Sequence, residues 1–110
     1  METSIEEVLA ALAAGRITSV ELTARYLSRI GAFDREGARL CAIPVLNPDA
    51  LAMAAESDRR WREGTARPLE GVPFTVKDSY MVQGLTVASG SPAFQNLIAQ
   101  RDAFSVEKLR

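Results

Sequence analysis

The chain has 110 residues, 47% of them apolar and 25% charged, which is the composition of an ordinary globular protein and the size of one small domain. Thirteen basic and fourteen acidic residues leave a net charge of -1, so there is no bulk electrostatic pull on nucleic acid or anionic lipid. Histidine is absent and cysteine occurs once, at Cys41. This excludes the Ser-His-Asp triad, the Cys-His pair, an internal disulfide and His- or Cys-rich metal sites. Any acid–base chemistry must fall to Lys, Asp, Glu or Tyr.

Thr3-x-x-Glu6 and Ser4-x-x-Glu7 are both capping-box patterns, and Ile5, Val8, Leu9 and Leu12 follow at helical spacing. A helix over about 4–14 is predicted, stopped by Gly15. Thr18-x-x-Glu21 opens a second helix, with apolar stripes of Val20, Ala24 and Leu27 and of Leu22, Tyr26 and Ile30, running to Gly31 or Phe33. Leu40–Leu46 is short and apolar. It reads as a strand in which Pro44 cannot donate to a ladder, hence an edge or a bulge, and Cys41 within it reads as inert packing. Asn47-Pro48 caps a third helix from Pro48 to about Glu63, with Gly64 beyond it and Glu56–Arg60, Asp58–Arg62 and Arg59–Glu63 as i,i+4 pairs on its wet side. The Arg59, Arg60, Arg62 and Arg67 cluster resembles an anion patch, but the acids interleaved with it indicate a solvated helix face.

Arg67–Gly71 is a turn, and Val72–Lys77 is a second strand candidate. Residues 79–100 then run for 22 positions without a charge. Their Gly, Ser, Pro and Asn content excludes a membrane span. A neutral stretch of that length either lines a pocket or covers a core, and Gly84, Ser89, Gly90 and Ser91 permit close backbone approach there. No Gly-Lys-Ser/Thr step follows, so it is not a phosphate loop. Asp102 is placed to cap a last helix carrying Phe104, Val106 and Leu109, and the sequence stops without a helix-ending signal, as a fragment would. No leader pattern opens the chain, which makes a cytoplasmic location the default. Helices separated by short apolar strands predict an α/β fold in which helices cover a mixed sheet.

Lys77 is the first candidate for chemistry. The chain holds eleven arginines and two lysines, and Lys108 reads as surface. Lys77 ends an apolar run and precedes the neutral stretch. Apolar neighbours strip hydration from an ammonium and favour the free amine, which is what a general base needs when histidine is absent. A strand-end lysine also serves as a solvated edge guard, and spacing alone leaves both readings open. Asp78 beside it can pair a charge or cap a turn.

Leu69-Glu70-Gly71-Val72-Pro73-Phe74-Thr75-Val76-Lys77-Asp78, followed by Gly84-Leu85 and Gly90-Ser91-Pro92, resembles the amidase signature family. Gly15–Leu22 is similar to that family's opening helix, and Asn47–Leu51 with Ala54, Ala55 and Asp58 to the helix before its lysine strand. The resemblance covers nearly all of the chain. It implies a Ser–cis-Ser–Lys amidohydrolase without cofactor or metal, acting on a small-molecule carboxylic amide, with Lys77 on the catalytic lysine. It also implies an α/β amidase fold of which residues 1–110 are the N-terminal segment of a single domain. Both family serines lie on a loop downstream of Arg110, so this chain supplies only the lysine and needs the remainder of the domain. Ser89 and Ser91 fall on an earlier Gly-Ser step and are not those serines. Val87 and Ala88 stand where threonines are common. The other expectation is a non-catalytic α/β fragment that binds a partner or is inactive.

Overall fold

The computed structural model describes residues 3–110, which fall into two compact units divided between Pro73 and Phe74. In the first unit, α1 spans Ile5–Ala13. Of the two overlapping capping boxes the second is used. The Ser4 hydroxyl accepts the Glu7 N–H at 3.1 Å, and the Glu7 carboxylate accepts the Ser4 N–H at 2.8 Å. Gly15 ends the helix at φ 64°, with its N–H on Leu12 O and that of Arg16 on Ala11 O.

Helix α2 spans Ser19–Arg29 behind the Thr18/Glu21 capping box, and it relaxes into a π-helical turn, Ile30–Arg35. Helix α3 spans Ala50–Glu63. It starts two residues later than predicted, because the Asn47 side chain accepts the Asp49 N–H at 2.9 Å and folds Pro48-Asp49 into a turn of its own. Helices α2 and α3 pack together. Their buried residues are Ser19 and Thr23 on one side and Ala54 and Ser57 on the other. Small side chains at a helix contact allow the backbones to approach closely.

The sheet of the predicted α/β fold does not form among the described residues, where the one ladder element is an isolated antiparallel bridge, Thr86 to Ile98. Leu40–Leu46 shows why. Cys41 sits at φ 52°, a left-handed value incompatible with a strand, and it is exposed rather than packed. The backbone groups that a neighbouring strand would pair are satisfied locally. The carboxylate of Asp34, itself buried, accepts the N–H of Ala42 at 2.5 Å and of Ile43 at 3.4 Å. Arg35 donates to the carbonyls of Ile43 and Pro44. Val72–Lys77 likewise carries no ladder. Apolar, β-rich composition describes a segment able to pair, and pairing needs a second edge.

Asp58 departs from the predicted pair with Arg62. Its carboxylate crosses to the start of α2 and accepts the N–H of Ser19 at 2.6 Å and of Val20 at 3.1 Å. First-turn amides have no intrahelical partner, and the positive end of the helix dipole favours an anion there, so Asp58 is more useful as a cap than as half of a wet ion pair. The Ser19 hydroxyl in turn donates to Gly71 O at 2.9 Å. Gly71 has φ 80°, and a Cβ there would lie 3.1 Å from the Ser19 side chain. Glycine is therefore required at the first residue of the Gly-Val-Pro step.

The arginine cluster is only half a solvated face. Arg59 does sit between Glu56 and Glu63 in the open. Arg60 and Arg67, however, converge on the buried carboxylate of Glu70, at 3.3 Å and 2.6 Å. Ser57 Oγ donates to the same carboxylate, and Trp61 Nε1 donates to the Glu70 carbonyl at 3.1 Å. The Arg67 guanidinium first, then the Ser57 hydroxyl, hold the Glu70 carboxyl down to about 2 against the opposing effect of burial. Arg67 is correspondingly raised.

In the second unit, the N–H of Gly84 bonds Ala99 O, that of Ala99 bonds Leu85 O and that of Val87 bonds Leu97 O. A 3-10 turn, Pro92–Phe94, and the short helix α4, Phe104–Leu109, complete it. Asp102 is not the cap of α4. Ala103 holds that position, and the Asp102 carboxylate instead takes the Gln83 N–H at 2.7 Å and the Arg110 guanidinium at 2.8 Å. Ala99 and Val106 are buried here, while Phe94, Leu97, Ile98 and Phe104 are exposed.

Candidate functional site

Lys77 lies in the second unit, where Phe74–Asp78 passes into a turn closed by the Tyr80 N–H on Lys77 O at 2.9 Å. Its side chain is exposed. The dry environment expected from the apolar run is not present in this chain, where Phe74, three residues before Lys77, is itself 47% exposed. Nor does any carboxylate among the described residues pair with its ammonium.

Asp78 does not pair with Lys77. Its Oδ1 accepts the Ala88 N–H at 3.2 Å and its carbonyl accepts the Ser89 N–H at 3.2 Å. These two bonds bring the Lys-Asp step and the start of the Gly-Ser step together, ten residues apart in sequence. Beyond them the chain bends sharply, with Ser89 at φ 50° and Gly90 at φ 73°, and the Ser91 N–H closes the turn on Ala88 O at 2.8 Å. Within the neutral stretch Ala99 is buried, and the backbone is bonded at several points. Its middle, at Ala88 and Ser89, is held by Asp78, and Gly84, Leu85 and Val87 are bonded to Leu97 and Ala99.

The unit also holds a cavity of about 510 Å³ lined by Met81, Gln83, Arg101, Asp102, Ala103, Phe104 and Glu107. Lys77 does not line it, and the Asp102 carboxylate at its wall is already engaged on both oxygens. No group of three or more His, Cys, Asp or Glu among the described residues could hold a metal ion, and no helix among them is long and apolar enough to cross a membrane.

Sequence reasoning allowed Asp78 to cap a turn without identifying which turn, and it missed the burial of Glu70. Arg67-x-x-Glu70 around a turn was the available signal for that burial, since a carboxylate three residues from an arginine in a turn can fold back onto it.

The Gly71-Val72-Pro73 step, the Lys77-Asp78 step and the Gly90-Ser91 step stand in the order the resemblance implies, without the strand expected to end in Lys-Asp. The protein-family model described as Amidase matches residues 21–110, and the chain belongs to the amidase signature family. Among curated relatives, one component of the glutamyl-tRNA(Gln) amidotransferase of Thioalkalivibrio sulfidiphilus is 40% identical over 109 residues, and its counterpart in Desulfotalea psychrophila 41% over 109, each match spanning 99% of this chain and 22% of the relative. Among solved structures, native peptide amidase from Stenotrophomonas maltophilia is 44% identical with a TM-score of 0.95, over 99% of this chain and 22% of that one. The chain spans about a fifth of the length of the relatives it matches. Its fold is that of the corresponding part of the peptide amidase, in which helices predominate.

Proposed function

We propose that this chain is the N-terminal segment of an amidohydrolase that cleaves a carboxylic amide C–N bond by a Ser–cis-Ser–Lys mechanism, and that Lys77 is its proton-transfer residue. The observation that carries the reading is the match of the Gly71–Asp78 block within a family assignment that extends over residues 21–110. In the proposed reaction the lysine and a serine held by a cis peptide bond take the proton of a second serine. That serine attacks the amide carbonyl, the C–N bond breaks, and the proton passes to the departing amine. Water then releases the acid from the acyl-enzyme. Both serines and the oxyanion donors belong to the part of the relatives that this chain does not span, and the mixed sheet and the cytoplasmic setting expected for the complete enzyme are part of the same proposal. No cofactor enters it.

The exposure of Lys77 favours a second statement: the 110-residue chain by itself is inactive. A solvated amine cannot replace a missing nucleophile, and loss of one oxyanion donor alone costs about 3–4 kcal/mol. The test is a chimera in which this chain replaces the matching segment of the Stenotrophomonas peptide amidase. Lys77→Ala in that chimera should abolish hydrolysis of a peptide amide, and the isolated chain should show none. Near-normal turnover by the Lys77→Ala chimera would remove the assignment.

A further inference from the structure

We propose that Asp78 is a positioning residue for Lys77, acting through its hydrogen bonds to the Ala88–Ser91 turn and not through charge on the lysine. This deepens the reading of Lys77 given above and rests on it. A carboxylate adjacent to a functional lysine can pair with the ammonium, face water or hold backbone amides, and Asp78 commits Oδ1 to the last of these and makes no pair with Lys77. It is half-buried, and one residue holds two consecutive amides, those of Ala88 by its side chain and Ser89 by its carbonyl.

The backbone around Lys77 is fixed as a consequence. The carbonyl of Lys77 is engaged by Tyr80 and that of Asp78 by Ser89, so the peptide groups that follow both residues are held. The ammonium itself has no partner among the described residues, which leaves the backbone as the element that determines where the side chain begins. The turn on the other side of the clamp is not a relaxed one. Ser89 occupies the left-handed region at φ 50°, which costs a non-glycine residue on the order of 1 kcal/mol and persists where neighbouring bonds impose it. Removing the Oδ1 bond to Ala88 frees the first amide of that turn and loosens the register between Lys77 and the Gly-Ser step. Misplacement of a catalytic group by about 1 Å can lower a rate on the order of 100-fold.

Asparagine keeps an oxygen for the Ala88 N–H, whereas alanine does not, so the pair Asp78→Asn and Asp78→Ala separates the bond from the charge. In the peptide amidase chimera, with rates normalised to titrated active sites, Asp78→Ala should lower kcat on the order of 10- to 100-fold while KM stays within about twofold, and Asp78→Asn should restore most of the loss. Equal loss in both variants, or no loss in Asp78→Ala while Lys77→Ala is dead, overturns the inference and leaves the lysine reading standing. An active Lys77→Ala chimera removes the lysine reading instead. Independently of activity, amide exchange at Ala88 in the 110-residue chain should accelerate on the order of tenfold in Asp78→Ala and stay near the parent rate in Asp78→Asn. Unchanged exchange in Asp78→Ala overturns the clamp whatever the chimera does.

Discussion

Replacing Glu70 by Gln removes the charge on which Arg67, Arg60 and Ser57 converge, with almost no change of volume. The carboxyl is held at about 2 against an ordinary 4.5, a difference worth roughly 3 kcal/mol at about 1.4 kcal/mol for each pH unit. Arg67 is 50% exposed and Arg60 30% exposed, so water recovers part of what they lose, and the expected cost is about 2 kcal/mol. The folded carboxyl titrates below the unfolded one. Its contribution is therefore complete above about pH 4.5 and disappears as the pH falls toward 2. Urea denaturation of parent and Glu70→Gln chains at pH 7, 4 and 2.5 gives the comparison. Other acids titrate alike in both, so the difference isolates position 70. The gap should be about 2 kcal/mol at pH 7 and should shrink below pH 4.5. A gap within about 0.5 kcal/mol at pH 7, or one that does not change with pH, would refute the reasoning.

Asp58→Ala withdraws the anion that caps α2 and leaves the Ser19 and Val20 amides unpaired, at a cost of about 1–2 kcal/mol in the same denaturation assay, while Arg62→Ala stays within about 0.5 kcal/mol. Gly71→Ala should lose at least about 1 kcal/mol, since a Cβ at φ 80° is strained and meets Ser19, and Ser19→Ala in the same chain should relieve the contact with the hydroxyl but not the strain. An amine-directed acylating reagent followed by peptide mass analysis should modify Lys77 and Lys108 of the isolated chain at rates within about threefold of each other, both being exposed, whereas in the peptide amidase chimera Lys77 should be protected on the order of tenfold. Equal labelling of Lys77 in chain and chimera would contradict its proposed burial in the complete enzyme.

The helices were legible because their signals are local. A capping box, a 3.6-residue stripe and a terminal glycine all lie within one segment, and Ser4, Thr18, Gly15 and Gly64 did what those patterns require. The misreadings share one cause, which is that a polar group with a local use was given to a longer-range partner elsewhere in the structure, or the reverse. Asp58 had a ready i,i+4 arginine and took the start of α2, 38 and 39 residues away. Leu40–Leu46 had the composition of a strand, and Asp34 and Arg35 satisfied its backbone from the preceding turn. Composition states what a segment tolerates, whereas the free energy is decided by which donors and acceptors lie within reach.

The same distinction separates the identity of Lys77 from its environment. An apolar run before a lysine is sufficient to place the residue at the end of that run, because that is a property of the segment. It is not sufficient to dry the amine, because desolvation is set by whatever stands opposite, and here Phe74 and Lys77 both face outward. What the chain does build in advance is the backbone. The Asp78 bonds to Ala88 and Ser89 and the Tyr80 bond to Lys77 are made wholly within residues 77–89. If the amine is to work as a base, position is therefore supplied by this segment and low polarity by another surface, so the two requirements can be broken separately: Asp78→Ala disturbs the first, and a charge introduced on the surface that covers Lys77 in the chimera disturbs the second.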